Sequence, residues 1–375
     1  MEKQEIIKRY GADPVEMTRT LLTYAGLAEE IGDNNKRIGL KPNLVTPTPA
    51  DFGATTHPQI LEGIILYLRE HGFSDISIVE GSWVGDKTSE AYEYCGYRTL
   101  CETYDVPFID TQKDGFTERD CAGMSLAICD CVADFDYLIN IPVLKGHCQT
   151  KMTCALKNMK GLIPNSEKRK FHTMGLHKPI AHLSRGIRQD FIVVDHICGD
   201  PTFEEGGNPL KTDCVMVAKD PVLVDAYACH LLGLTTADVP YVGMAEALGS
   251  GSTDLAAVRI LTLNDQGACI RELAGDEEDP YEARFASRRP ALDVAVDIDD
   301  CESCSACFAA LTAALCRLSE EECAGLPRIA IGQGHRGNTG EYGIGNCCRG
   351  FTHYVPGCPP DEEDIFQALT HTFFR

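Results

Sequence analysis

Positive charge is scarce in this 375-residue chain: 34 lysines and arginines face 56 acids, a formal charge of −22. A body so negative repels nucleic acid and anionic lipid surfaces, which excludes polyanions as general partners. No apolar run reaches the length that a membrane span needs. The opening MEKQEIIKRY has no apolar stretch behind a basic start, as a secretory signal would. These absences predict a soluble, cytoplasmic protein with no nucleic acid and no membrane among its partners. Repeats, low-complexity tracts, a P-loop and a nucleophile elbow are also missing. The glycine-rich GQGHRG (332–337) follows a strand pattern but lacks the third glycine and the following helix of a dinucleotide fingerprint.

What remains is ordinary in bulk and unusual in detail. The length admits two domains, the larger with a sizeable core. Residues 1–268 alternate short apolar runs with amphipathic stretches. The runs are RIGLKPNLV (37–45), DISIVEG (75–81), VPFID (106–110), DYLINIPVLK (136–145), FIVVDHI (191–197) and CVMVAKD (214–220). Between them lie segments such as 58–72, where Ile60, Ile64 and Leu68 recur at helical spacing and Gly72 marks the stop. Near-continuous apolar strands alternating with helices predict a doubly wound α/β fold with a mostly parallel sheet covered on both faces. Residues 269–292 read as a linker. Residues 293–375 form a second, smaller, cysteine-rich α/β domain. It has strands expected at 293–298 and 328–332, a helix at about 305–322 and a closing helix at 361–372.

Cysteine is abundant: 19 residues. With no sign of export, a disulfide framework is excluded, and so many free thiols suit a reducing, low-oxygen cytoplasm. Most, such as Cys129, Cys154, Cys198 and Cys229, sit in apolar contexts where a free thiol packs as a small hydrophobe. The second domain differs, with CESCSAC (301–307), GNCC (345–348) and VPGCPP (355–360). A Cys-x-x-Cys pair leading into a helix, joined by two thiolates from later loops, can close a four-thiolate shell around a 4Fe–4S cluster. Cys304, Cys307, Cys347 and Cys358 are the expected ligands, with Cys301 and Cys348 as spares. A structural zinc and plain buried thiols are the competing readings. Zinc ribbons present two Cys-x-x-Cys knuckles, whereas the later cysteines here are split.

The few basic residues cluster. Residues 141–182 hold Lys145, Lys151, Lys157, Lys160, Lys168, Arg169, Lys170 and Lys178, with His147, His172, His177 and His182, against one acid, Glu167. The island begins where a strand ends, the edge at which ligands of open α/β sheets gather. Other polar groups fall at strand ends too: Lys41 and Asn43, Glu80 and Ser82, Asp195 and His196. His57 precedes Pro58 at a helix start. Together they outline a site for a small anionic molecule: Lys41, Asn43, His57, Lys145, Lys157, Asn158, Lys160 and His172 would bind it. His147 and Asp195 are the acid–base candidates. A solvated basic face and a docking surface for an acidic partner are the alternatives.

LKPNLV with GATTHP (40–45, 53–58), INIPVLKGH…ALKNMKGLIP (139–164) and DPVLVDAYACHLLG (220–233) resemble the domain-of-unknown-function 362 family across most of residues 35–265. The tail is similar to the cysteine-rich end of a clostridial-type branch of that family. Its GNC and GCPP pieces also resemble the cluster-binding end of hydrogenase and complex I small subunits. That resemblance implies cluster chemistry, while the family implies no activity. The expected function is an iron–sulfur oxidoreductase, or electron-transfer-coupled enzyme, with a redox partner protein and a small anionic substrate. A ferredoxin-like carrier and a non-catalytic sensor or donor of metal or cluster are the other readings.

Overall fold

The computed structural model describes residues 1–279, 296–301, 303–315 and 317–372. The chain divides into two compact units. In the first, chain order gives strands β1 (Glu5–Tyr10), β2 (Ile38–Lys41), β3 (Ile76–Glu80) and β4 (Phe108–Asp110), then a hairpin of β5 (Phe116–Asp120) and β6 (Ser125–Cys129). Next come β7 (Tyr137–Asn140), a small hairpin of β8 (Lys145–His147) and β9 (Lys151–Thr153), then β10 (Phe191–Gly199), β11 (Leu210–Ala218), β12 (Arg259–Leu263) and β13 (Cys269–Ala274).

Among the described residues one sheet has the order β13-β12-β1-β11-β10-β7-β2-β3-β4. Only β11 and β13 run against the rest. Alternate side chains of one strand enter opposite cores: Val193, Val215 and Val217 pack with the helices Pro14–Ala25 and Pro58–Glu70, while Ile192, Val194 and Met216 pack with His177–Gly186 and Pro221–Leu231. Both faces are buried, so the interior strands carry runs of consecutive apolar residues, each contributing about 1.5–3 kcal/mol on burial, and β2 and β7 turn polar only at their ends, Lys41 and Asn140. Mixed α/β with a mostly parallel sheet is thus the observed class. The expected linker differs at its start. Residues 269–274 pair with β12 as an edge strand, exposed or half-buried throughout, with the charged Arg271 and Glu272 that such an edge carries. The remainder of the expected linker from residue 280, and the start of the strand expected at 293, lie outside the described residues.

Among its described residues the second unit holds four parallel strands in sequence order, β14 (Ile298–Asp300), β15 (Ile329–Ile331), β16 (Tyr342–Ile344) and β17 (His353–Val355). The helices Ser305–Leu315 and Glu362–Gln367 complete its core through Leu311, Leu315 and Ile365 against Ile329, Ile331, Ile344 and Val355. The helix expected to reach 322 stops at Leu315. Ser319, whose hydroxyl accepts from the Glu322 amide, starts a separate turn, Glu320–Ala324. Among the described residues no helix is long and apolar enough to cross a membrane.

Candidate functional site

Strand order reverses between β2 and β7: β3 and β4 follow on one side, β10 and β11 on the other. Such a switch opens a crevice at the carboxyl ends of its two strands. Here the register pairs Lys41 with Asn140. The Lys41 ammonium is fully buried and donates to Glu80 Oε2 and to Pro42 O, both at 2.6 Å. Burial lowers its pKa, while Glu80 opposes that shift. Glu80 also accepts the Leu44 and Gly81 amides at 3.1 and 2.6 Å.

The crevice floor is filled by the chain itself. Asn158, ending the helix Ala155–Asn158, donates to Asn140 Oδ1 at 2.7 Å and to the Lys41 and Pro42 carbonyls at 3.2 and 3.3 Å. Its own oxygen accepts from Asn43 at 3.0 Å. The helix then tightens to a 3₁₀ turn, Met159–Leu162. A Cβ on Gly161 would meet Glu80 Oε1 at 1.9 Å and the Lys41 Cε at 2.6 Å, so only glycine lets this turn lie on the ion pair. The ALKNMKG stretch is therefore explained first as packing at the switch point.

The basic island is mostly satisfied from within. Lys145 is buried and donates to Glu204 O at 2.7 Å, Asn43 Oδ1 at 3.4 Å and the Ala54 carbonyl. Burial takes its pKa down to about 7. Lys157 meets Glu204 Oε2 at 3.0 Å and Thr153 Oγ1 at 3.2 Å. Lys168 donates to the Gly81 and Ser82 carbonyls at 3.0 and 2.7 Å. Glu204 and Glu205 sit on a loop organised by buried Asp200, which accepts the amides of Thr202, Phe203 and Asn208. Burial, then Glu204, pushes the Glu205 carboxyl up to about 7. A carboxylate thus already stands where an anion was expected, and the sequence held no sign of it. Lys157 and Lys160, three residues apart, fall on either side of the change to 3₁₀ geometry: Lys157 is buried and Lys160 half-buried. His172 is half-buried near the end of the helix Asn165–Thr173.

Asp195 is paired with His57. One carboxylate oxygen, Oδ2, takes both the His57 backbone amide at 2.7 Å and its Nδ1 at 2.8 Å, while Oδ1 takes the Ile197 amide at 3.1 Å. Burial pushes the imidazole pKa down, but Asp195 and then Asp51 outweigh it, and the net shift is upward. With Nδ1 turned to Asp195, Nε2 is the ring nitrogen left for other work, 3.6 Å from Asp51 Oδ1. His147, the other acid–base candidate, groups with the second unit, and its Nδ1 accepts the Gln149 amide at 3.0 Å.

In the second unit the cysteines lie at the carboxyl ends of the parallel strands. Cys304 directly precedes the helix Ser305–Leu315; Cys347 follows β16 and Cys358 follows β17. The last two loops are tied together: the Asn346 amide donates to Gly357 O at 2.8 Å and the Gly357 amide to Asn346 Oδ1 at 3.0 Å. Burial, then the neighbouring thiols Cys304, Cys358 and Cys347, pushes Cys307 up to about 12, and Cys304 is raised by burial and by Cys347 and Cys358. Cys348 is buried and donates to Ala330 O at 3.4 Å, and the Cys301 sulfur packs where a Cβ of Gly334 would stand. Two donors unnoticed in the sequence point at sulfur: Gln333 Nε2 at 3.4 Å from Cys304 Sγ and Arg336 Nε at 3.4 Å from Cys347 Sγ. Both come from GQGHRG. Among the described residues no three His, Cys, Asp or Glu side chains close on a point that would hold one metal ion.

A family profile described as a domain of unknown function, DUF362, matches residues 38–230. A thylakoid-associated protein of Synechocystis sp. is 25% identical over 249 residues, 63% of this chain and 75% of that protein. The lactate racemase apoprotein from Thermoanaerobacterium thermosaccharolyticum aligns over 86% of this chain and 68% of its own, with 11% identity and a TM-score of 0.37.

Proposed function

Because the chain belongs to the DUF362 family, a domain of unknown function that brings no activity with it, we propose a function from its own chemistry: an iron–sulfur protein coupling electron transfer to a small anionic substrate. The observation that carries this reading is the set of four thiols at one sheet edge: Cys304, Cys347 and Cys358 after or between the strands, and Cys307 in the first turn of the helix Ser305–Leu315. Cys304 and Cys307 are each raised in part by Cys347 and Cys358, and two N–H donors face the sulfurs of Cys304 and Cys347. A cubane binds each thiolate at a different iron, so its ligands need not converge on a point as those of a zinc ion do. When bound, the cluster would supply one-electron transfer, with electrons exchanged through a partner protein. In the other unit an anionic substrate would displace the Glu204 carboxylate from Lys157, and His57, oriented by Asp195, would hold or release a proton at Nε2.

Iron content of cysteine variants tests the ligand set. Serine at 304, 307, 347 or 358 should each strip most of the iron from anaerobically prepared protein, whereas Cys301→Ser and Cys348→Ser should keep it. Iron lost from the Cys301 variant but retained by the Cys304 variant would overturn the assignment.

A further inference from the structure

Away from the switch point, the first unit has a cavity of about 470 Å³, within the roughly 300–1,000 Å³ range of small-molecule sites. Four cations line it, Lys3, Arg185, Arg188 and Lys219, in a chain of net charge −22. Its two acids are Asp220 and Asp190, and two of the four cations already have an acid beside them: Arg188 has Asp190, and Lys219 has Glu30 at 2.9 Å. Asp220 accepts the amides of Val222, Leu223 and Ser252 at 2.9–3.0 Å. Asp190 takes the Leu138 amide at 2.8 Å and Arg188 at 2.6 Å. The Ser184 hydroxyl donates to Ala181 O at 2.6 Å and lies 2.6 Å from the Ser250 hydroxyl, beside the Gly249–Gly251 backbone.

Gln189, on the same lining, supplies an independent sign. Its Oε1 accepts from Asn140 Nδ2 at 2.6 Å, and its Nε2 is buried with no acceptor in the protein. Turning the amide over would not help, since Asn140 Nδ2 would then face another NH₂. Asn140 in its turn accepts from Asn158 at the switch point. A buried donor without a partner costs about 1–3 kcal/mol, a cost that a ligand oxygen would remove.

We propose that this cavity binds a phosphate-bearing small molecule, with Arg185, Arg188, Lys3 and Lys219 on the phosphate oxygens and Gln189 Nε2 as a further donor. Arginine forks suit phosphate geometry. Through Gln189 and Asn140, occupancy bears on the Asn158 network. The site is separate from the Lys145–Lys157 cluster and does not depend on the cluster-binding reading.

Calorimetric titration of the full chain with inorganic pyrophosphate, against potassium chloride of equal ionic strength, tests it. One saturable site is expected, weakened at least tenfold by Arg185→Ala and by Arg188→Ala, weakened by Gln189→Leu, and unchanged by Lys157→Ala. Circular dichroism checks that each variant is folded. No heat beyond that of chloride, or binding as tight in both arginine variants as in the unmodified chain, would overturn the proposal. Loss of binding in Lys157→Ala alone would do the same, by moving the site to the switch point.

Discussion

Glu80→Gln removes the negative member of a pair held at 2.6 Å, whose side chains are 0% and 3% exposed. A glutamine retains one side-chain oxygen. It cannot serve the Lys41 ammonium and the Leu44 and Gly81 amides together, and its NH₂ must face one of these donors. Breaking one side of a buried pair costs about 3–5 kcal/mol, against a total domain stability of roughly 5–15 kcal/mol. Lys41→Met should cost less, because the carboxylate keeps two amide donors. The double variant Lys41→Met/Glu80→Gln should be more stable than Glu80→Gln alone, since no buried charge is left unpaired. Urea unfolding followed by tryptophan fluorescence is the assay. Trp83 is the chain's single tryptophan, lies three residues after Glu80, and reports on the first unit. A Glu80→Gln loss within about 0.5 kcal/mol of zero, the range of surface substitutions, would refute the buried-pair account, as would a double variant no better than the single.

Gly161→Ala should destabilise the same unit by about 1–3 kcal/mol or more, because the new methyl meets Glu80 and Lys41, both fixed by their pairing. A neutral result in the same assay would mean that the 3₁₀ turn does not rest on the pair. Burial holds the Lys145 pKa near 7, below the ordinary 10.5. The unfolded chain therefore binds a proton that the folded one refuses, and stability should rise as pH climbs through that window. Lys145→Met should flatten the rise, and an unchanged slope would count against it. Arg336→Gln removes a positive charge and an N–H donor beside Cys347, and should lower the reduction potential with iron content intact. An anaerobic redox titration that finds the potential unmoved or raised would contradict that role.

The interior of the larger sheet was legible because strands buried on both faces write continuous apolar runs. Segments 75–81 and 191–197 fall on β3 and β10. Its margins were not: 269–274 is a short, exposed edge strand with charged residues at its centre and an acidic stretch after it, and at that level a strand and a linker look alike. The polar residues at strand ends were visible as a group, but their partners were not. Glu204 reaches Lys157 across 47 residues from a loop whose own sequence carries no periodic signal, and Asp195, though on a legible strand, reaches His57 across 138, a pairing that periodicity does not encode. Gln333 and Arg336 were passed over for a similar reason. GQGHRG was weighed as a dinucleotide motif, whereas the parallel strand β15 delivers it to the sulfur-bearing edge.

The central claim is that the four cysteines hold one cubane. Iron and acid-labile sulfide analysis of the full chain, purified without oxygen, tests it most directly. The account predicts brown protein with about four irons and four sulfides per chain and a broad band near ~400 nm from thiolate-bound iron. Colourless protein carrying one zinc per chain would contradict it.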